Sequence, residues 1–295
     1  MKTNLVADPV GPTLFKTSVP TTVGAIAVIL FYLADTWFVS QLGTSELAAL
    51  GFTFPATILI TYLGVGLAIG TSATVARAIG AKDHEKSVEI TFAAVLLGFV
   101  LGILLIIPAI ASINTVFTLM GATPETLVLI KQFVSVWYLG IPLFMVQFAG
   151  TAVMRAGGNS KLQGKLMMMS AAVNAILDPI FIFGFGPVPA FGIQGAAIAT
   201  VITWVFVNIS IWYYLSVKEQ LFKFIWPGLQ KLLKTWSKLL QITIPAAIAN
   251  MITPLATGVL TATMAKYGAE AVAAFGVVMR IEALVMIVVL GMSMS

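Results

Sequence analysis

Few side chains in this sequence can do chemistry, and most of those sit where charge is least welcome. Asp35 and Asp178 lie in long apolar runs, Asn174 stands one helical turn before Asp178, and Arg280 with Glu282 interrupts a third apolar run. Gln147, Asn208 and Asn250 are the neutral polar groups in comparable settings. A charge inside a membrane is costly, so each is a candidate functional site. Paired carboxyls with a nearby amide suit reversible binding of a proton or a small cation. Other chemistries are thin. The chain has no cysteine and one histidine, so thiolate ligands, disulfides and most His-based catalysis are excluded. His84 falls in Ala81-Lys82-Asp83-His84-Glu85-Lys86, a solvated loop rather than a ligand site. No G-x-x-x-x-G-K-[ST] motif occurs, so ATP has no P-loop here, and Gly66-x-x-x-Gly70 reads as a close helix contact. Arg280 and Glu282 are two residues apart and cannot face each other on a helix.

The elements that must carry these groups are membrane helices. The 295 residues are 59% hydrophobic and 9% charged, whereas ordinary soluble chains are about 45–50% apolar and about 25% charged. A soluble enzyme and a nucleic-acid binder are set aside on that ground. Apolar runs near the length of about 20 residues that crosses a bilayer recur at Leu14–Ser40, Leu47–Arg77, Val88–Ile113, Thr126–Met154, Leu162–Phe185, Ile193–Val217, Leu239–Ala265 and Ala271–Ser295. Gly- and Pro-rich breaks separate them. Lys and Arg gather after the second, fourth and sixth runs, at Arg77, Lys82 and Lys86, at Arg155, Lys161 and Lys165, and from Lys218 to Lys238. The positive-inside rule then puts the N-terminus in the cytoplasm, and the net charge of +5 follows from topology rather than from a nucleic-acid partner. Between Lys218 and Lys238, Leu229, Leu232, Leu233 and Trp236 alternate with lysines at helical spacing, which predicts an amphipathic interfacial helix linking two parts of the chain. No removable signal peptide is expected at the start.

A shift of 225 residues lays the seventh and eighth runs over the first and second without a gap. Pro20 meets Pro245, Thr36 meets Thr261, and Gly43-x-x-x-x-Ala48-Ala49-x-Gly51 meets Gly268-x-x-x-x-Ala273-Ala274-x-Gly276. Six spans per copy preserve orientation, so the copies are parallel repeats about an axis along the membrane normal. The expected fold is therefore an all-α polytopic membrane protein of two parallel-repeat six-helix lobes, the second present in part. Residues 1–217 form the first lobe, 218–238 a cytoplasmic linker, and 239–295 the first two helices of the second lobe. Two whole copies need about 450 residues, so the chain is expected to be part of a twelve-span protein. Within the first lobe, the first and fifth spans run the same way. Asp35 lies six residues before Gln41 and Asp178 eight before Gly186, so each carboxyl sits roughly 9–12 Å below its helix end. If these helices are neighbours, the two groups share one polar cavity, where a carboxyl can take up a proton and return it as its surroundings change.

These residues together resemble the multidrug and toxic compound extrusion (MATE) family. The resemblance is carried by the Pro20 helix, Asp35-Thr36, the G-x-x-x-x-A-A-x-G runs, Arg155-Ala-Gly-Gly-Asn159, Asn174-Ala-Ile-Leu-Asp178-Pro179 and Phe191-Gly-Ile-Gln-Gly195. An acid in the first helix with Asn and Asp in the fifth, and none in the seventh, is similar to the DinF-like branch. The family implies a non-enzymatic secondary transporter of the bacterial or archaeal cytoplasmic membrane. It would exchange H⁺, or alternatively Na⁺, for amphipathic and often cationic drugs. The resemblance implies no cofactor, no resident metal, no nucleic acid and no obligate protein partner, with small-molecule drugs and the bilayer as partners. It assigns Asp35, Asn174 and Asp178 to the cation site and Pro20 to a hinge at which the first helix bends on protonation. Tyr32, Gln147, Met169 and Thr200 are the expected lining of the substrate cavity. A lipid-linked oligosaccharide flippase of the same superfamily is the nearest rival, but it would need several cations for a pyrophosphate. An intramembrane aspartyl protease would need Tyr-Asp and Gly-x-Gly-Asp, whereas Asp35 follows Ala34 and Asp178 follows Leu177. A passive channel has no use for the repeat and the buried acids.

Overall fold

The computed structural model describes residues 10–158, 160–224 and 226–293. The chain forms α1 (Val10–Ser40), α2 (Thr44–Gly80), α3 (His84–Leu119), α4 (Pro124–Leu139), α5 (Ile141–Ala156), α6 (Ser160–Phe183), α7 (Ile193–Tyr213), α8 (Leu229–Ala265) and α9 (Ala269–Ser293), with one π-helical turn at Tyr214–Lys218. No strand occurs among the described residues; Phe185 and Val188 form one isolated bridge in the α6–α7 turn. That turn doubles back tightly because Gly184 and Gly192 take positive φ values of 82° and 57°, which cost glycine little. Among the described residues, five helices are long and apolar enough to span a membrane, and α4 with α5 makes a sixth if they count as one bent span. Large apolar side chains such as Leu104, Ile107, Ile252 and Val259 face outward, as a lipid-facing surface requires.

Two expectations are corrected. The fourth expected span, Thr126–Met154, is two helices bent by 48°. Gly140 ends α4, and Pro142, in the first turn of α5, has no N–H with which to continue the earlier ladder. Asn208 on α7 steadies the break by donating from Nδ2 to the Leu143 carbonyl at 3.0 Å. Residues 218–238 do not form a separate interfacial helix. Beyond the π-turn the described residues up to Gly228 are irregular, and Leu229–Lys238 is the opening of α8, continuous with the apolar stretch that follows. Part of its apolar stripe is anchored on protein: Leu232 and Leu239 are buried, and the Trp236 indole N–H donates to the Ala93 carbonyl of α3 at 2.9 Å, while Leu229 and Leu233 remain exposed.

Glycine sets the closest helix contacts. On α2, a Cβ built on Gly66 would lie 2.8 Å from the Ala247 Cβ and from the Thr243 carbonyl oxygen, so α2 is pressed against α8. On α1, a Cβ on Gly24 would lie 2.9 Å from the Gly164 Cα of α6. Further along the same pair, the Phe38 and Phe183 rings are 6.3 Å apart. The two contacts advance in the same chain direction, so α1 and α6 are parallel neighbours. The internal repeat leaves its mark too. Gly51 of α2 and Gly276 of α9, equivalent by the 225-residue shift, touch each other; a Cβ on Gly276 would be 3.0 Å from the Gly51 Cα. Equivalent residues meet in this way only where a pseudo-twofold axis passes between them.

A Gly66→Ala substitution forces backbone and Cβ atoms apart and should cost about 1–3 kcal/mol. Gly80→Ala, with nothing within 4 Å of its added Cβ, should be neutral. Thermal unfolding in detergent reads the difference; equal melting temperatures for the two variants would contradict the tight α2–α8 contact.

Candidate functional site

The parallel packing of α1 on α6 brings the sequence-predicted acids together. Asp35 is 6% exposed and Asp178 fully buried, and the two carboxyls are close enough to influence each other's ionisation. Asn174 is also fully buried. With its amide nitrogen turned toward Asp178, it donates to both carboxyl oxygens, at 2.7 and 3.2 Å. That orientation suits an ionised Asp178. The reversed amide would instead accept a hydrogen bond from a protonated carboxyl, so Asn174 can serve either state. Asp35 is less well provided: its Oδ1 is buried with no hydrogen-bond partner among the described residues. A buried polar atom left bare costs free energy, and a proton or a small cation would relieve that cost.

Arg280, whose role the sequence leaves open, belongs to this group. It reaches from α9 to α1, donating from Nη1 to the Thr36 hydroxyl, which passes its own hydrogen to the Tyr32 carbonyl at 2.6 Å. The guanidinium carbon lies 5.6 Å from the centre of the Phe54 ring, and its charge is coupled to Asp35. At 7% exposure it is a buried cation beside a buried anion. Glu282, by contrast, is exposed. The spacing of the two excluded a mutual pair, but it could not identify which of them points inward, since α9 has protein on one side only.

Beside these charges opens a cavity of about 270 Å³. α1 contributes Tyr32 and Asp35, α2 Phe54 and Tyr62, α7 Thr200, and α9 Arg280. Trp137 of α4 and Trp204 of α7 complete an aromatic wall, their rings 5.2 Å apart and edge to face. Of the four residues expected to line a substrate cavity, Tyr32 and Thr200 line this one. Gln147 and Met169 are not in its lining, and Met169 is 37% exposed on α6. Pro20 lies within the helical span of α1, and its side chain is outside the described residues, as is Asn159 of the Arg155 loop. The aromatic wall was missed in the sequence because Trp137 and Trp204 are 67 residues apart and look like ordinary span residues.

The comparisons with known proteins agree with this architecture. The sequence pattern of the family described as MatE matches residues 20–180. An FAD transporter of Shewanella oneidensis is 38% identical over 291 residues, covering 99% of this chain and 64% of the relative. The multidrug export protein MepA of Staphylococcus aureus is 27% identical over 293 residues, covering 97% of this chain and 62% of the relative. Among solved structures, a Vibrio cholerae MATE transporter, VcmN, in an Asp-to-Asn variant superposes with TM-score 0.84 at 31% identity, over 96% of this chain and 64% of that one. A MOP superfamily transporter from Pyrococcus furiosus, described as having a binding pocket of reverse polarity, superposes with TM-score 0.80 at 30% identity, over 95% of this chain and 62% of that one. The chain thus spans somewhat under two thirds of the length of these relatives. With the helical fold and the family pattern in agreement, the chain belongs to the MATE family of transporters.

Proposed function

We propose that this chain works in a secondary active exporter of the cytoplasmic membrane, with its N-terminus in the cytoplasm. It exchanges H⁺, or alternatively Na⁺, for small amphipathic aromatic molecules. The observation that carries the reading is the buried Asp35, with an unpartnered oxygen, at the edge of an aromatic cavity and coupled to Asp178. Two carboxyls in one desolvated site resist being ionised together, so the pair holds and releases a cation readily. The family relatives named for FAD transport and for multidrug export support an aromatic cargo.

The cycle follows from these contacts. A proton entering from outside neutralises Asp35. The charge that balanced Arg280 is lost, and the Arg280–Thr36–Tyr32 chain of hydrogen bonds loosens its hold on α1. The Asn174 amide turns as Asp178 changes its protonation state. α1 bends at Pro20, the cavity narrows, and the cargo leaves outward. Release of the proton to the inside restores the cavity. The membrane potential supplies about 2.3 kcal/mol per charge per 100 mV. Na⁺ could occupy the same place, with Asp35, Asp178 and the Asn174 oxygen as its oxygen donors.

Two variants test this in everted membrane vesicles, with ethidium and riboflavin as probes and either a pH gradient or a Na⁺ gradient imposed. Asp35→Asn should bring gradient-driven transport down to the level of vesicles lacking the protein while the protein remains folded. Asn174→Leu should slow transport about tenfold and lower thermal stability, because Asp178 loses its donor at a cost of about 1–3 kcal/mol. Transport that survives Asp35→Asn, or that ignores both gradients, would overturn the scheme.

A further inference from the structure

Arg280 is the one permanent positive charge among the described residues that line the cavity, and Asp35 the one carboxylate. The guanidinium carries five N–H donors, and among the described residues a single hydrogen bond, to Thr36, uses one of them. One face of the guanidinium lies over the Phe54 ring. The Thr57, Thr61 and Thr200 hydroxyls are committed as donors to the backbone carbonyls of Phe54, Thr57 and Ala196. Their oxygens remain acceptors for N–H or O–H groups of a solute, while Arg280 is the donor with charge behind it.

We propose that Arg280 is a specificity residue of this cavity, selecting flat aromatic solutes that carry an anionic group, such as a phosphate or carboxylate, over cationic ones. The inference rests on the exporter reading in one respect, that the cargo is held in this cavity. While cargo is held, the Asp35 carboxylate offsets one positive charge, but the unused N–H groups of Arg280 remain in a poorly solvated place, where charge-assisted contacts are strong. A cationic solute finds the Phe54 face that could have received it already occupied by Arg280. A phosphate or carboxylate instead meets a planar fork of N–H groups of matching shape. Trp137 and Trp204 supply apolar ring faces for the rest of the solute, and a volume of about 270 Å³ suits a fused ring system better than a large drug.

Binding to the full chain in lipid nanodiscs separates this proposal from transport. Riboflavin, flavin mononucleotide and ethidium offer fluorescent aromatic ring systems that are neutral, anionic and cationic in turn. Flavin mononucleotide should bind about tenfold or more tighter than riboflavin, and ethidium should bind most weakly. Arg280→Gln should erase the advantage of the phosphate, so that the two flavins bind alike, with folding read separately from its thermal melting in detergent. Arg280→Lys should keep part of the advantage. Asp35→Asn should raise the ratio of flavin mononucleotide affinity to riboflavin affinity, a change of selectivity that loss of structure cannot mimic. Equal affinity of the wild-type chain for the two flavins, or preference for ethidium, overturns the proposal without any variant and leaves the exporter reading standing. Failure of gradient-driven transport, with flavin selectivity intact, overturns the exporter reading instead.

Discussion

Charge held away from water must be balanced locally, and the arrangement of this chain follows from that constraint. Asp35 and Asp178 cannot both be ionised side by side without help. Help arrives from three directions: the Asn174 amide on the same helix as Asp178, the Arg280 guanidinium from α9, and the Thr36 hydroxyl that fixes that guanidinium against α1. The helices take the positions that make this balance possible. Gly24 and Gly164 let α1 and α6 approach until the carboxyls communicate. The return of the chain through α8 and α9 brings a cation from far along the sequence to the side of α1. A buried ion group of this kind contributes little net stability, so its value lies in having two states of similar free energy that differ by one bound cation.

The cavity depends on a helix that does not continue. An unbroken fourth span would carry Trp137 and Phe144 on one straight rod. The bend between α4 and α5 instead lets both rings meet Trp204, at 5.2 and 4.5 Å. Asn208 holds the bend by bonding a carbonyl on the far side of the break. A helix interior satisfies its own backbone, so a break within a membrane needs such a partner.

The sequence carried the class of the fold and half of the site. Composition and the recurrence of apolar runs identified membrane helices because the bilayer imposes one length and one polarity on every span. That Asp35 and Asp178 stand at matching heights on neighbouring helices was legible because rise per residue is fixed and both helices run the same way. Arg280 was legible as an anomaly but not as a partner, since its contacts with Thr36 and Phe54 join residues more than 200 positions apart. The bend at Gly140-Ile141-Pro142 was not read, since proline inside a membrane helix is tolerated with or without a break. The stripe around Trp236 was read correctly as amphipathic. The part of its apolar side around Leu232 and Trp236 packs on protein, which periodicity could not show because it records that one face is apolar and says nothing of what covers it.

The meeting of Gly51 with Gly276 has a mechanical meaning. A point midway between two symmetry mates lies on the axis, and any movement that treats the two repeats alike must leave it there. The contact can turn or slide along the axis but cannot be carried sideways. With no side chains on either glycine, two helices can change their crossing angle at that spot as a bare spindle turns in its bearing, while displacement grows with distance from it. Arg280 stands one helical turn beyond Gly276 and Phe54 three residues beyond Gly51, so the cavity edge lies beside this bearing and a change of crossing angle there acts directly on it.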